Sequence, residues 1–396
     1  MARVDGRVVF VEGALPGETV EAEVTHRRKD FWRAQATTVL EAAEARVDPP
    51  CPYFKAGCGG CQLQHLDYVE QLNQKRLVLA RQLGRAHLEY PLERIDVLGM
   101  ENPWRYRLRG EFHVLRRGGQ VSLGFYRKHT YQTLPIDACL IHVEAIERAL
   151  PAFARAAEHP GAARVSALQF TWAPGTSDLL WAPYPPGSAD AEFGERAAGW
   201  IPELNLNDDS IGIQDDGRHF RVRPEAFVQV NARQRDALYE RAVAYASPEP
   251  GALVVDAYAG IGMLSARLGA GGAQVMCLEE SPYAVRLGEL NMQLNGCSTV
   301  TYRRGKVEET IAQVEPPIDV LVIDPPRAGC AEPAIRAMLA AAPSRIVYVS
   351  CEPSTLARDL ERLCGSGGYR LRDVSLVDMF PQTYHMETVA QLDRIA

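Results

Sequence analysis

The sequence predicts an α/β protein whose C-terminal half is a doubly wound parallel sheet, preceded by a small OB-type β-barrel and a central α+β unit. Three observations carry this. From about residue 220, apolar runs alternate with helical patterns, as parallel strands joined by crossover helices require. Within ALVVDAYAGIGMLSARLG (252–269), one such run enters a Gly-rich turn that opens a helix. The first 45 residues, by contrast, hold only short strand-like stretches and turns.

Taken in order, the elements suggest three units: 1–46, 47–210 and 211–396. A chain of 396 residues exceeds what one small core organises. GRVVFVEGAL closes a β-branched run with Gly, PGE is a turn, and TVEAEV alternates at period two. A further strand is expected from Phe31 to Leu40. Several short strands without helix suggest a barrel of the kind that binds oligonucleotides. It is short for a complete barrel, and its first strand is expected to be missing at Met1. Asp48-Pro-Pro-Cys-Pro reads as a linker to a cysteine-rich loop. His65 to Arg85 then reads as one helix, with Leu66, Val69, Leu72, Leu77, Leu79 and Leu83 on its apolar side. Residues 105–135 return to strands around Arg117-Gly118-Gly119, and the Ala-, Pro- and Gly-rich stretch 150–205 predicts little.

Composition narrows the class. Hydrophobic residues at 46% and charged residues at 23% suit a globular protein. No apolar run approaches the roughly 18 residues of a membrane span. MARVDGRVVF has no signal-peptide core, and nine cysteines, an odd number, point to a reducing cytoplasm. The net charge of -7 hides a division: residues 1–130 hold 20 basic against 16 acidic side chains, the rest 23 against 34. Arg27, Arg28 and Lys29, the trio Arg105, Arg107 and Arg109, and the pairs Arg116–Arg117 and Arg127–Lys128 are clustered. This is the pattern of phosphate contact, although solvated basic faces look the same.

The Gly-rich turn (Gly260, Gly262) lets backbone approach a ligand at a strand's carboxyl end. The next strand, QVMCLEE, ends in Glu279, 23 residues after Asp256, where a carboxylate can accept from both hydroxyls of a ribose. The third Gly of a dinucleotide fingerprint is missing, which favours S-adenosylmethionine over a dinucleotide. DVLVIDPPRAG (319–329) delivers Asp324 to the same sheet edge, and IVYVSCEPSTLARDL (346–360) delivers Cys351. Only a thiolate attacks, and a free thiol ionises near a pKa of about 8.5, so a cation should help; Arg327 and Arg358 are candidates. Alone, Cys351 reads as an inert core cysteine. Asp324, Pro325 and Pro326 beside it reverse that reading.

AFVQVN (226–231), DAYAGIG, DPPRAG, SCEPSTLARD and DMFPQTYHMETVAQL, in this order, resemble the RNA uridine-5-methyltransferases over nearly the whole chain. The resemblance implies a Rossmann-like class I methyltransferase domain that uses S-adenosylmethionine on ribosomal or transfer RNA. It implies Cys351 as nucleophile and Glu387, in HMETV, as base, with Gln229, Tyr258, Glu279 and Asp324 lining the methyl-donor pocket. Uracil carbon 5 is a poor nucleophile. Thiolate addition at carbon 6 makes an enolate whose carbon 5 attacks the sulfonium methyl, and a base then removes the carbon 5 proton. Many relatives have Asn or Asp after the cysteine; here it is Glu352, which would raise the thiol's pKa if it pointed inward. Arg327 follows the Pro-Pro pair where cytosine-5 enzymes place their cysteine, which favours uracil. The lack of an Asn-Pro-Pro-Tyr/Phe motif argues against an adenine enzyme.

Cys51-x6-Cys58-x2-Cys61 lies in a Gly-rich loop, and Cys139 lies in PIDACLIH. Four thiolates so arranged suit a [4Fe–4S] cluster or tetrahedral zinc. The spacing resembles the iron–sulfur site of the ribosomal-RNA branch, with a structural or RNA-positioning role expected. GRVVFVEGALPGETVEAEV likewise resembles the TRAM domain, a small RNA-binding barrel attached to many of these enzymes. Together these features favour 23S ribosomal RNA over the T-loop of tRNA. A non-catalytic RNA-binding assembly factor would not need both Cys351 and Glu387. A nucleotide-cofactor oxidoreductase would leave both unexplained. Nothing indicates an oligomer.

Overall fold

The computed structural model describes residues 1–205, 210–365 and 367–395. The first unit has strands β1 (Ala2–Val4), β2 (Arg7–Glu12), β3 (Thr19–Arg27) and β4 (Phe31–Glu41), in the order β1-β2-β4-β3. The expected barrel is therefore an open sheet, with β2 and β4 parallel and the other pairs antiparallel. Its first strand is three residues long, and within 1–46 only Val9, Leu15 and Ala34 are buried apolar residues. So thin a core leans on polar ties. Arg46 donates to Glu18 (2.7 Å) and to the Gly13 carbonyl (2.8 Å), and this pairing holds Glu18 down at about 2.

The cysteine loop contains the short helix α1 (Pro52–Lys55), and α2 (Tyr68–Arg85) follows. The leucine pattern begins earlier, but the Asp67 carboxylate accepts from the Val69 amide (2.9 Å) and starts the helix there. After β5 (Asp96–Leu98), a five-stranded antiparallel sheet forms from β6 (Arg109–Arg117), β7 (Gln120–Tyr126), β8 (Thr133–Pro135), β9 (Ala167–Ala173) and β10 (Asp178–Tyr184), ordered β10-β9-β6-β7-β8. Helices α3 (Glu144–Ala156) and α4 (Ala191–Ala198) cover it. Phe112, Phe153, Phe170 and Phe193 form its centre.

The C-terminal part begins with the hairpin β11 (Ile211–Asp215) and β12 (Arg218–Val222), then α5 (Ala232–Ala246), β13 (Leu253–Ala257), α6 (Met263–Leu268) and β14 (Gln274–Glu279). It continues through α7 (Pro282–Leu294), β15 (Val300–Arg304), α8 (Val307–Thr310), β16 (Val320–Ile323), α9 (Glu332–Ala341), β17 (Arg345–Ser350), α10 (Pro353–Gly365), β18 (Tyr369–Val377) and β19 (Glu387–Arg394). The sheet runs β15-β14-β13-β16-β17-β19-β18-β5, with the first five strands parallel and β19 antiparallel to both neighbours.

The last strand, β5, comes from the segment expected in the central unit. It pairs parallel with β18, while Leu79, Leu83 and Ile95 sink into the core beside Leu356, Leu360 and Leu363. Full burial of a leucine is worth about 1.5–3 kcal/mol, which fixes α2 and β5 to this sheet. Among the described residues, no helix is long and apolar enough to cross a membrane.

Candidate active site

Four parallel strands bring their carboxyl ends together. At β13, Gly260 (φ 55) and Gly262 (φ 83) turn the chain into α6. A Cβ on Gly262 would lie 2.4 Å from the Tyr302 hydroxyl, so no larger residue fits. The Gly260 amide donates to Glu279 Oε2 (3.0 Å) and the Ser281 amide to Oε1 (2.8 Å), which fixes the carboxylate at the tip of β14. Each oxygen keeps a second lone pair for a ribose hydroxyl. Asp256 accepts from Ser265 Oγ (2.5 Å) and is nevertheless pushed up to about 7 by burial. Asp324 is also pushed up to about 7, by the protein packed around it and then by Asp256.

Phe227, Tyr258, Gly260, Met263 and Asp324 line a narrow cavity here. Tyr258 holds φ 65 at the strand end, with burial raising its phenol. The site thus assembles Tyr258, Glu279 and Asp324. Gln229 is buried between β12 and α5, and its neighbour Phe227, 72% exposed, is the one that lines the cavity. No sequence signal distinguished the two.

Cys351 follows β17, whose Ser350 is paired with Thr388 of β19. The antiparallel register sets Cys351 beside Glu387. Burial pushes the Cys351 thiol up to about 11, Glu387 raises it further, Arg327 pulls it down, and Asp324 raises it. Glu387, 3% exposed, is held well above the ordinary carboxylate range by burial and then by Asp324, with Arg327 opposing. Of the two candidate cations, only Arg327 acts on the thiol. Arg358 pairs with Asp359 (2.8 Å) and donates to the Ala328 carbonyl (2.9 Å). Glu352 turns away and accepts from Ser354 Oγ (2.8 Å) and the Ser354 amide (3.3 Å) at the start of α10. The feared inward carboxylate is instead a helix cap.

Cys51, Cys58, Cys61 and Cys139 surround one cavity of about 230 Å³. Burial pushes Cys61 up to about 12 and Cys139 to about 11, and each is raised further by its cysteine neighbours. The Gly60 amide points at Cys58 Sγ (3.5 Å), and His142 Nδ1 lies 3.1 Å from Cys139 Sγ. Among the described residues, the one group of three potential ligand atoms within 4.8 Å of each other is His159, Asp190 and Glu192, so no three of the four sulfurs lie that close together. Tetrahedral zinc at bonds of about 2.3 Å would need them about 3.8 Å apart.

The basic clusters divide. Arg109 donates to the Ala226 carbonyl (2.5 Å), Arg116 to those of Val165 (2.8 Å) and Ala162 (2.6 Å), and Arg105 pairs with Glu147. These cations hold the protein's own chain. Arg27, Arg28, Lys29 and Arg117 remain exposed. Between the N-terminal sheet and the cysteine loop runs a groove of about 1110 Å³, edged by Tyr126, Arg127, Lys128, Tyr131 and, near the active site, Tyr384.

A model of the tRNA (uracil-5-)-methyltransferase family matches residues 203–395, and one of the TRAM domain matches residues 1–37. A Listeria innocua protein described as an uncharacterised RNA methyltransferase is 33% identical over 99% of this chain and 94% of its own length. The chain belongs to the RNA uracil-5-methyltransferase family. As a member, it transfers methyl groups from S-adenosylmethionine to carbon 5 of uracil in RNA. A Caldanaerobacter subterraneus protein of the same description is 33% identical over 100% of this chain and 95% of its own. The fold is similar to that of Pyrococcus abyssi tRNA (uracil-54, C5)-methyltransferase in complex with S-adenosyl-L-homocysteine. That similarity has a TM-score of 0.77 at 22% identity and covers 97% of this chain and 94% of the other. The fold placed at the C-terminus is thus the methyltransferase fold, and the N-terminal sheet is a TRAM domain.

Proposed function

We propose that this methyltransferase modifies a uridine of 23S ribosomal RNA through a covalent adduct on Cys351, with Glu387 as base. The observation that carries the reading is the placement of Cys351 against Glu387 and Arg327 at the sheet edge that also presents Asp324 and Glu279. S-adenosylmethionine, when bound, supplies an electrophilic methyl. Glu279 would hold its ribose, with Tyr258 and Asp324 bordering the cavity and Gln229, buried two residues from the cavity-lining Phe227, as the further cofactor contact that the family resemblance implies. Arg327 stabilises the Cys351 thiolate, which adds to carbon 6 and sends an electron pair through carbon 5 to the carbon 4 oxygen. Carbon 5 takes the methyl. Glu387, a strong base because burial disfavours its charge, removes the carbon 5 proton. The carbon 6–sulfur bond then breaks, and the thiolate is regenerated.

The four-thiol site fits a [4Fe–4S] cluster. It offers four cysteines around one cavity and an amide directed at sulfur. We assign it that cluster and a structural role in a cytoplasmic enzyme. Residues 1–46 and the aromatic, basic groove would guide RNA, 47–210 would carry the cluster, and 211–396 the chemistry, braced by 68–98. The cysteine set favours 23S RNA over the tRNA T-loop. The test is incubation with S-adenosylmethionine and 5-fluorouridine-substituted 23S RNA or tRNA, followed by a denaturing gel. Fluorine cannot leave as a proton, so an adduct should persist with 23S RNA and vanish in Cys351→Ala. An adduct with tRNA alone transfers the reading to tRNA, and none with either sinks the mechanism. Iron and sulfide at four each per chain would support the cluster; zinc would overturn it.

A further inference from the structure

The hairpin loop between β18 and β19, residues 378–386, ends in Glu387, and it is held from outside the strands that carry it. Gln382 is its fulcrum: a non-glycine residue at φ 68, 3% exposed. Its carbonyl accepts from the amides of Gln62 (3.0 Å) and Leu63 (2.9 Å), the residues next after Cys61. Its amide donates to Gln71 Oε1 (3.1 Å), and its own Oε1 accepts from Gln71 Nε2 (3.0 Å). Gln71 Nε2 also donates to the Leu66 carbonyl (2.8 Å), so one buried side chain of α2 ties the cysteine loop's tail to the base-bearing loop. Two neighbouring contacts complete the grip: Lys75 donates to the Phe380 carbonyl (3.1 Å), and the Tyr106 hydroxyl to that of Pro381 (2.9 Å). A left-handed conformation at a buried glutamine persists only where its surroundings over-determine it. Here those surroundings are the cysteine loop and α2.

We propose that the four-thiol centre positions Glu387 through Gln382 and Gln71, so that loss of the centre impairs removal of the carbon 5 proton. Gln71 and Gln382 are positioning residues in this arrangement, and the inference rests on the proposed role of Glu387. It gives the centre a task without electron transfer. The thiol loop, once cross-linked, is a rigid jaw, and α2 is the other.

The full-length enzyme with its centre intact is compared with Gln71→Met, Gln382→Gly and Cys61→Ser. Three quantities are read: amide exchange across 378–386, affinity for S-adenosyl-L-homocysteine, and denaturation-stable adduct with ordinary uridine RNA. In each variant, exchange in the loop should rise, and turnover should fall about tenfold or more from a small misplacement of the base. Adduct should accumulate because proton removal lags, with cofactor affinity unchanged. General weakening of the fold would lower adduct and cofactor affinity together, and that result would overturn the proposal. So would unaltered loop exchange in Cys61→Ser, or loosened exchange with full turnover. Should Gln71→Met not fold, Gln382→Gly decides, since glycine adopts φ 68 without strain. If wild-type enzyme forms no adduct even on 5-fluorouridine RNA, the covalent mechanism fails, and with it the role of Glu387 on which this inference rests. Loop exchange in Cys61→Ser then still decides whether the centre reaches the loop.

Discussion

The thiol of Cys351 is the most exposed consequence of the site's electrostatics. Pushed up to about 11, the thiol stays overwhelmingly protonated near neutral pH. Alkylation by iodoacetamide reports the thiolate, so labelling of Cys351 should climb about tenfold per pH unit from 7 to 10. Two variants should move it in opposite directions. Arg327→Met removes the cation that favours the charged form and should slow labelling at every pH below the break. Glu387→Gln removes the carboxylate that disfavours it and should speed labelling. Each unit of movement is about tenfold in rate. The assay is mass spectrometry of the Cys351 peptide after timed labelling. Eight other cysteines are present, so site resolution is essential. A wild-type break below pH 9, or faster labelling in Arg327→Met, would refute the account of which charges act on the thiol.

Further outcomes follow from the same contacts. Glu387→Gln should form adduct on ordinary uridine RNA and fail to release it, seen as a persistent shifted band. Its folded-state pKa is raised, so wild-type stability falls as pH climbs above the unfolded carboxyl value of about 4.3. The Gln variant should therefore melt roughly 2 °C or more higher at pH 8, with the gap closing toward pH 4, by calorimetry. Lys75→Met should cost about 3–5 kcal/mol in denaturant titration, because it strands Asp378, 0% exposed and 2.5 Å from the ammonium. The apolar double variant with Asp378→Leu should recover most of that, since burial already pulls the Lys75 ammonium below its usual range against the attraction of Asp378. Gly262→Ala should abolish measurable cofactor binding by calorimetric titration, since its Cβ meets the Tyr302 hydroxyl.

What was legible in the sequence was local. Asp324, Glu279 and Cys351 each end or follow an apolar run, and parallel strands deliver such ends to one edge whatever surrounds them. The Gly-rich turn needed only its own φ values. What was illegible depended on distance along the chain. The leucines of α2 announced a buried face but not its partner, which lies nearly 300 residues away on α10. Lys75 and Asp378 each look like an ordinary surface charge until the fold pairs them, 303 positions apart. Clustered arginines gave no warning that Arg109 and Arg116 are committed to internal carbonyls. The stretch 150–205 was silent because Phe153, Phe170 and Phe193, which centre its packing, are scattered among Ala, Pro and Gly. Phe227 and Gln229 stand two residues apart with no side-chain signal to say which faces the cavity.

The site sets three acids against one cation, and this imbalance has a physical logic. Asp256, Asp324 and Glu387 are all raised, Asp324 in part by Asp256 and Glu387 in part by Asp324. Arg327 opposes them near Cys351. Such surroundings favour the neutral thiol of Cys351 over its thiolate, the form that oxidants attack. A pyrimidine entering beside Arg327 brings a carbonyl that takes up negative charge as the thiolate adds. The charge the site resists on sulfur is then spread over the ring and leaves with the methyl transfer step. On the proposed mechanism Glu387 would gain from the same crowding, because a carboxylate whose charge burial disfavours is a better base for a carbon-bound proton. The acids that disfavour ionisation of the thiol would therefore be the ones that sharpen proton removal. Arg327, exposed after β16 and acting on both Cys351 and Glu387, is on the proposed mechanism the residue on which the balance between the two steps would turn.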